Sequence, residues 1–276
     1  MQKRVNQMKS NLFLRIVSAL ILAPIVLAAI CYGDMAYEVL MAVMGALMAW
    51  EWSKMLSGKS YVSVSLTLMA CMIAFLTKEI DPVWLLGVIA FFALFLYFKT
   101  GRNLLLSFGA FYIGLPLLSM MYIAYFSDSG DLHYSYEYIL WVLFVVWATD
   151  VGGYIVGKSI GGPKLCPKIS PNKTWAGLLG GMLFSAVITY LFVVTLNHYY
   201  DATLSMKYFV LSSVVLAFIS QAGDIFESKI KRYLNIKDSS NLIPGHGGIF
   251  DRIDGLLFAA PAVALVILLY DLGMFS

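Results

Sequence analysis

The chain has 276 residues, of which 61% are hydrophobic and only 13% are charged, with a formal net charge of +3. A soluble domain carries roughly 25% charged residues and about 45–50% apolar ones, so this composition excludes a water-soluble globular protein. The mean hydropathy of +0.81 instead predicts a chain whose main solvent is the lipid bilayer.

Nine apolar segments predict transmembrane helices, since a helix needs roughly 20 apolar residues to cross the hydrocarbon. Backbone polar groups in lipid must be satisfied internally, and the long continuous runs differ from the alternating strands of a barrel. The predicted fold is therefore an all-α, polytopic integral membrane protein with about nine helices. The first two spans meet at a tight link, Gly33 and Asp34. The predicted spans are residues 12–32, 35–53, 61–77, 82–98, 103–126, 138–157, 175–196, 207–223 and 252–274.

The basic residues predict how these spans are oriented, because cytoplasmic loops carry an excess of Lys and Arg. With the N-terminus in the cytoplasm and nine alternating helices, 17 of the 19 basic residues fall in inside segments. Only Lys78 and Lys207 fall outside. If the number of spans were wrong, inside and outside segments would be exchanged from that point on, and basic residues would appear in both. We therefore predict a multi-pass protein of the cell inner membrane with a cytoplasmic N-terminus.

The two halves of the chain differ in their loops. Residues 1–130 are spans joined by short loops, and we predict that they form a transmembrane scaffold. Residues 131–276 contain two long cytoplasmic loops, near 158–174 and 224–254, and are predicted to form the catalytic region. A helix is predicted over residues 224–234, along the membrane surface. No metal or disulfide spacing relates the cysteines, which are Cys31, Cys71 and Cys166.

Four aspartates are predicted at one membrane depth, on three different helices. Asp150 lies within about two turns of the cytoplasmic end of the sixth span, and Asp224 ends the eighth. Asp251 and Asp254 open the ninth and share a helix face. Ionisable residues at this depth are costly and suggest a functional site, and carboxylates without Cys or His ligands suit Mg²⁺. The alternative is that each forms a structural ion pair.

Both cytoplasmic loops carry groups that suit phosphate binding. Residues 168–174 hold two lysines, two hydroxyls and an asparagine, and residues 244–248 offer glycine-rich backbone N–H groups. Topology alone explains the basic charge but not the Ser, Asn, Gly and His residues interleaved with it. The aspartates suit a metal ion, and the basic residues suit phosphate groups. Together they predict a site for a nucleotide and a phospholipid headgroup. The basic residues that precede the glycine-rich stretch 244–248 are Lys229, Lys231, Arg232 and Lys237.

Two glycine motifs are interpreted structurally. Residues 152–159 fit G-x-x-x-x-G-K-[ST], but a P-loop needs a preceding strand and an α/β core, whereas this match begins inside a predicted span. Gly177 and Gly181 form a G-x-x-x-G pattern, which is typical of close helix packing.

The run from Ser228 to Asp254 resembles the signature of the phosphatidate cytidylyltransferases, or CDP-diacylglycerol synthases. Residues 147–150, 168–175 and 221–224 resemble other characteristic stretches of that family, and the resemblance covers about residues 140–255. Ala176 departs from the pattern, since many members carry Glu or Gln there. The matching signature positions are Ser228, Lys231, Arg232, Lys237, Asp238, Ser240, Ile243, Pro244, His246, Gly247, Gly248, Asp251, Arg252 and Asp254.

The resemblance implies an enzyme of phospholipid biosynthesis. The phosphate of phosphatidic acid would attack the α-phosphorus of CTP, releasing pyrophosphate and giving CDP-diacylglycerol. Because the attacking oxygen is already ionic, catalysis would depend mainly on positioning and charge stabilisation. The implied partners are CTP, phosphatidic acid and membrane lipids, with no nucleic acid, and a homodimer is left open.

The same resemblance assigns roles to individual residues. Asp224 and Asp251 would hold Mg²⁺, with Asp150 and Asp254 as further ligands or groups bonded to the ligands. A second cation is left open, because four carboxylates exceed what one Mg²⁺ usually needs. The candidate catalytic residues are Asp224, Asp251, Lys173, Lys231 and Arg232. The candidate substrate-binding residues are Ser170, Asn172, Lys173, Lys237, His246, Gly247, Gly248 and Arg252.

Two other functions remain open at this point. A CTP-dependent lipid kinase acting on a polyisoprenoid or phytol-like alcohol would share the nucleotide and the membrane, but its acceptor would be a hydroxyl. A transporter would place its ionisable residues near the bilayer midplane, often in an inverted repeat, whereas here they crowd one edge. His246 has two open roles as well, donating to a phosphate or bracing the glycine-rich turn.

Overall fold

The computed structural model describes residues 17–18, 20–56, 59–125, 135–199, 204–243, 245 and 247–272. Most of these residues are helical, which confirms the all-α fold class of a polytopic membrane protein. Six helices are long and apolar enough to cross a membrane: α2 (Asp34–Leu56), α4 (Pro82–Lys99), α5 (Leu104–Tyr125), α6 (Ser135–Ile160), α7 (Trp175–Tyr199) and α8 (Met206–Tyr233).

Three further apolar helices are shorter: α1 (Leu20–Tyr32), α3 (Ser60–Leu76) and α10 (Leu256–Asp271). Each predicted span therefore corresponds to one apolar helix in the described part of the chain. How many of them cross the bilayer stays a prediction. The remaining elements are α9 (Phe250–Ile253) and the strands β1 (Lys164–Cys166) and β2 (Ser170–Thr174).

The chain forms two compact units. The first comprises Met1–Tyr125 and Leu234–Ile253, and the second comprises Phe126–Tyr233 and Asp254–Ser276. The segment between α8 and α10 thus belongs with the N-terminal helices, although it follows the second unit's helices in sequence. The functional division predicted near residue 130 stays a prediction.

Local sequence explains where the helices of the first unit begin. Gly33 and Asp34 both have positive φ angles, 65° and 40°, and separate α1 from α2 at the predicted link. Asp81 caps α4 by accepting a hydrogen bond from the Val83 amide at 2.8 Å, and Pro82 occupies the first helical position. Helices α2, α3, α4 and α5 then pack together around fully buried side chains such as Trp52 and Tyr37.

In the second unit, α6 and α7 pack at very close range. A Cβ on Gly177 would lie 2.9 Å from the Gly153 carbonyl oxygen, and one on Gly181 would lie 2.8 Å from the Thr149 carbonyl oxygen. This confirms the packing interpretation of the G-x-x-x-G pattern. Residues 152–159 lie inside α6, so the P-loop match is indeed not a phosphate-binding loop.

The loop after α6 contains a small antiparallel hairpin that the sequence did not predict. Lys164 pairs with Thr174, and Cys166 pairs with Ser170. Gly161 and Gly162 have φ angles of 69° and 90°, which allow the chain to turn out of α6. At the other end, the Thr174 hydroxyl accepts a hydrogen bond from the Gly177 amide at 3.0 Å and caps α7. The hairpin therefore fixes β2 directly onto the start of α7.

Helix α8 is continuous from Met206 to Tyr233, over 28 residues. At 1.5 Å per residue it is roughly 42 Å long, whereas the hydrocarbon core is about 30 Å thick. The separate surface helix predicted over residues 224–234 is therefore the last part of one long helix, up to Tyr233. Asp224 and Lys231 are consequently held on the same rigid element.

Candidate active site

The predicted site residues are divided between the two units. In the second unit, Ser170, Asn172 and Lys173 lie on β2, Asp150 lies on α6, Asp254 lies in the turn before α10, and α8 carries Asp224, Lys231 and Arg232. The first unit contains Lys237, Gly247, Gly248, Asp251 and Arg252. His246 lies outside the described residues.

Lys173 joins the two predicted acids Asp150 and Asp224 through a chain of polar contacts. Its ammonium group forms an ion pair with Asp224 and donates a hydrogen bond to Gln221 Oε1 at 2.8 Å. The amide nitrogen of Gln221 donates to Asp150 Oδ1 at 3.3 Å. The Ser228 hydroxyl donates to Asp224 Oδ1, also at 3.3 Å. Residues from α6, β2 and α8 are thus assembled into one polar network.

The Lys173–Asp224 pair is partly accessible. The side chains are 16% and 25% exposed, so water and a ligand can reach them while the pair remains ordered. Gln221, which lies in a stretch resembling the family but was given no role from sequence, supplies the link between this pair and Asp150. Its position three residues before Asp224, on the same helix, was the available signal.

A second ion pair lies one turn further along α8. Lys231 Nζ is 2.8 Å from Glu227 Oε1, and the two side chains are 12% and 4% exposed. From the sequence we assigned Lys231 to phosphate binding but gave no role to Glu227, which immediately precedes the Ser228–Asp254 signature. The pair fixes the position of the lysine, because a buried cation is stable only beside a partner of opposite charge.

Asp254 lies against α8 beside these acids. A Cβ on Gly223 would be 2.6 Å from the Asp254 carbonyl oxygen, which shows how closely the turn before α10 approaches the helix. The Asp254 carboxyl lies close enough to Asp224, Glu227 and Asp150 for their negative charges to interact. We call Asp150, Asp224, Glu227 and Asp254 the acidic cluster.

The acidic cluster fits a hard divalent cation. Carboxylate oxygens are the donors that Mg²⁺ prefers, and a bound cation would offset the repulsion among neighbouring carboxylates. Within the described residues, no three His, Cys, Asp or Glu side chains are placed to hold one ion. Mg²⁺ usually takes one or two carboxylates and completes its shell with water and substrate phosphates, so a site for this ion does not need three protein ligands. The ligand assignments stay predictions.

Asp251 has an extensive hydrogen-bond role in the first unit. Its Oδ2 accepts hydrogen bonds from the Ser239 amide at 2.8 Å, the Ser239 hydroxyl at 2.9 Å and the Gly248 amide at 2.8 Å. This carboxylate therefore organises the loop of residues 234–249, which we call the α8–α9 loop. Its assignment as a metal ligand stays a prediction.

The two glycines of the α8–α9 loop use their amides within the loop. The Gly248 amide donates to Asp251, and the Gly247 amide donates to the Ile243 carbonyl oxygen at 3.2 Å. Gly247 also has a φ of 85°, and a Cβ there would lie 2.6 Å from Asp251 Oδ2. Glycine is required here for close packing and backbone conformation, whereas phosphate binding by these amides stays a prediction.

The chain is similar over most of its length to known proteins. The cytidylyltransferase family model matches residues 13–270 of the chain. A phosphatidate cytidylyltransferase of Brucella suis is 34% identical over 262 residues, covering 93% of each chain. The enzyme of the same name from Rickettsia felis is 30% identical over 266 residues, covering 95% of this chain and 94% of the relative.

A third relative matches a shorter part of the chain. The phosphatidate cytidylyltransferase of Bacillus subtilis is 38% identical over 164 residues, or 58% of this chain and 60% of the relative. The family model and the two long matches together cover nearly all of the sequence, including the N-terminal helices and both loops. The chain therefore belongs to the cytidylyltransferase family.

Proposed function

We propose that this protein transfers a cytidylyl group from CTP to phosphatidic acid, giving CDP-diacylglycerol and pyrophosphate in phospholipid biosynthesis. The observation that carries the proposal is the near full-length similarity to enzymes named phosphatidate cytidylyltransferase. The ordered lysines beside the acidic cluster agree with it, since both substrates are phosphate-rich anions.

The reaction needs little covalent chemistry from the protein. An oxygen of the lipid phosphate bonds to the α-phosphorus of CTP, and the bond from that phosphorus to the bridging oxygen of pyrophosphate breaks. The attacking oxygen is already ionic, so the protein must bring two anions together and offset the charge on the leaving group. Mg²⁺, when bound, would neutralise phosphate oxygens and polarise the reacting phosphorus.

Lys173 is suited to this task because its position is fixed before substrate binds. Asp224 and Gln221 hold its ammonium group, which limits the freedom lost when a phosphate binds. Lys231 is fixed by Glu227 in the same way. Arg232 follows on the exposed side of α8 and is proposed as a further phosphate contact.

The α8–α9 loop supplies the remaining candidates for phosphate contact. Lys237 and Arg252 are exposed at the two ends of this region, while Ser170 and Asn172 lie on β2 in the other unit. We propose that all four bind phosphate groups of CTP or the lipid. His246 remains a candidate donor or a brace for the turn.

The proposed function is tested with purified protein in lipid vesicles or micelles containing phosphatidic acid, with labelled CTP and Mg²⁺. Pyrophosphate and CDP-lipid should form in equal amounts. A CTP-dependent kinase would instead release CDP and phosphorylate an added polyisoprenoid alcohol. Release of CDP without a cytidylylated lipid would contradict the proposal.

We also propose that the protein spans the inner membrane nine times, with the active site facing the cytoplasm. Reporter fusions at Gly130 and Ser276 should then give periplasmic signals, and fusions at Lys164 and Asn241 should give cytoplasmic ones, because 17 of the 19 basic residues lie on the inside in this arrangement. A cytoplasmic signal at Ser276 would contradict the count of nine spans.

A further inference from the structure

A buried acid on α2 binds the α8–α9 loop and the start of α9. Glu51 is 0% exposed. Its Oε1 accepts hydrogen bonds from the Ser240 hydroxyl at 2.6 Å and the Ile249 amide at 2.8 Å. Its Oε2 lies 3.2 Å from the Ser239 hydroxyl and accepts from the Phe250 amide at 3.0 Å. All of these groups belong to the first unit.

The four contacts use the full acceptor capacity of the carboxylate when the Ser239 hydroxyl donates to Glu51. An ionised carboxylate offers about four lone-pair sites and no donor of its own, which matches the four donors that face Glu51. Two of these donors belong to residues 239–240, and two belong to residues 249–250. One side chain on α2 therefore holds residues 239–240 next to residues 249–250, and we call these two pairs of residues the neck of the loop. Within the loop, Ile243 and Gly247 exchange backbone hydrogen bonds at 2.8 and 3.2 Å.

The packing around Glu51 reinforces the neck. Trp52, the next residue on α2, packs against Phe250 with ring centroids 5.9 Å apart, and Tyr112 stacks on Phe250 at 5.5 Å. A Cβ on Gly248 would lie 2.3 Å from Glu51 Oε1. The absence of a side chain at Gly248 thus lets the loop close onto Glu51.

Ser239 connects Glu51 with Asp251. Its hydroxyl oxygen is 3.2 Å from Glu51 Oε2 and 2.9 Å from Asp251 Oδ2, and its one hydroxyl hydrogen donates to one carboxylate at a time. The Ser239 amide also donates to Asp251. A change at Glu51 would therefore alter the surroundings of Asp251 without contact between the two carboxylates.

We propose that Glu51 is a positioning residue for cytidylyl transfer. Lys237 lies two residues before Ser239, and Arg252 lies two residues after Phe250. The hydrogen bonds of Glu51 with Ser239 and Phe250 therefore fix the backbone close to both basic residues. Both side chains are exposed and available to phosphate. This inference rests on the proposed function, in which Lys237 and Arg252 bind phosphate groups.

The test is Glu51→Gln, which keeps the size of the side chain but replaces one acceptor oxygen with an NH₂ donor. An NH₂ group facing the neck donors leaves a backbone amide without an acceptor. We expect kcat per folded molecule to fall about tenfold, because the phosphate-binding groups are misplaced. Amide hydrogen exchange should accelerate in residues 247–252 and stay at the wild-type rate in α3, α4 and α5.

The matched control is Glu38→Gln. Glu38 is a second buried acid on the same helix, 9% exposed, and it accepts a hydrogen bond from the Tyr125 hydroxyl at 2.8 Å, away from the loop contacts. Its substitution should leave kcat and the exchange of residues 247–252 at wild-type values. A wild-type kcat in folded Glu51→Gln protein would overturn the proposal, as would faster exchange spread through the whole unit.

Ser240→Ala tests the same contact from the loop side and serves alone if Glu51→Gln does not fold. It should lower kcat, and the double variant should lose less activity than the product of the two single effects, because both remove one interaction. Independent effects, or a wild-type kcat in folded Ser240→Ala, would overturn the proposal. If the wild-type protein forms no CDP-lipid, the proposed function fails, while the exchange measurement still tests the neck.

Discussion

Asp224→Asn should lower cytidylyl transfer by about 10³-fold, or ~4 kcal/mol of transition-state stabilisation. Asp224 is central to the second unit's network, since it pairs with Lys173 and accepts from Ser228. Asparagine keeps the shape and one acceptor oxygen but removes the charge that pairs with Lys173 and that we propose binds a divalent cation. Steady-state kinetics with CTP and phosphatidic acid across a range of Mg²⁺ concentrations measure the loss.

The wild-type protein in excess EDTA gives the cation-free rate, and the Asp224→Asn rate should approach it. Asp81→Asn is the control, because Asp81 is an exposed N-cap on α4 and asparagine caps helices equally well. That variant should match the wild-type rate. Full wild-type activity in EDTA, or near-normal turnover of Asp224→Asn, would refute the cation assignment.

Asp251→Asn should lower activity by about 10²-fold, or ~3 kcal/mol, if Asp251 contributes its charge to the reaction as predicted. The structure makes this substitution informative, because the three loop donors all converge on Oδ2. An asparagine oxygen can accept those same hydrogen bonds. The variant therefore removes the charge while preserving the loop, and the protein should express and melt as the wild type does.

Asp251→Ala provides the comparison, since it removes both the charge and the acceptor. It should lose the same activity and also expose the Ser239 and Gly248 amides to faster hydrogen exchange. Asp238→Asn, in the exposed part of the loop, should have a smaller effect. If Asp251→Asn turns over at the wild-type rate and only Asp251→Ala fails, Asp251 is a loop brace and not a metal ligand.

The apolar helices could be predicted from sequence because the bilayer imposes a simple rule on length and composition. Each predicted span corresponds to an apolar helix, and the break at Gly33 and Asp34 follows from a glycine at a sharp turn. The end of the eighth span was less predictable. Asp224, Glu227 and Lys231 make the sequence polar, but they are accommodated on a helix that simply continues to Tyr233.

The contacts of the site were harder to predict because they join distant parts of the chain. Lys173 and Asp224 could be placed on the same side of the membrane, but nothing local showed that Gln221 would link them to Asp150. Glu51 is 189 residues from Ser240, and its only sequence signal was an ionisable group within an apolar segment. The hairpin was missed because its strands have only three and five residues.

The order of the chain through the two units limits how the protein can be divided. The chain leaves the first unit after Tyr125, builds most of the second, and returns for Leu234–Ile253 before ending in the second. A fragment that ends near residue 130 would bury Glu51 without the two hydroxyls and two amides that donate hydrogen bonds to it. It would also lack Phe250, whose ring packs against Trp52 and Tyr112. The N-terminal half is therefore an incomplete folding unit. Separating the two units without dividing either core would need three cuts and would leave four pieces, two for each unit.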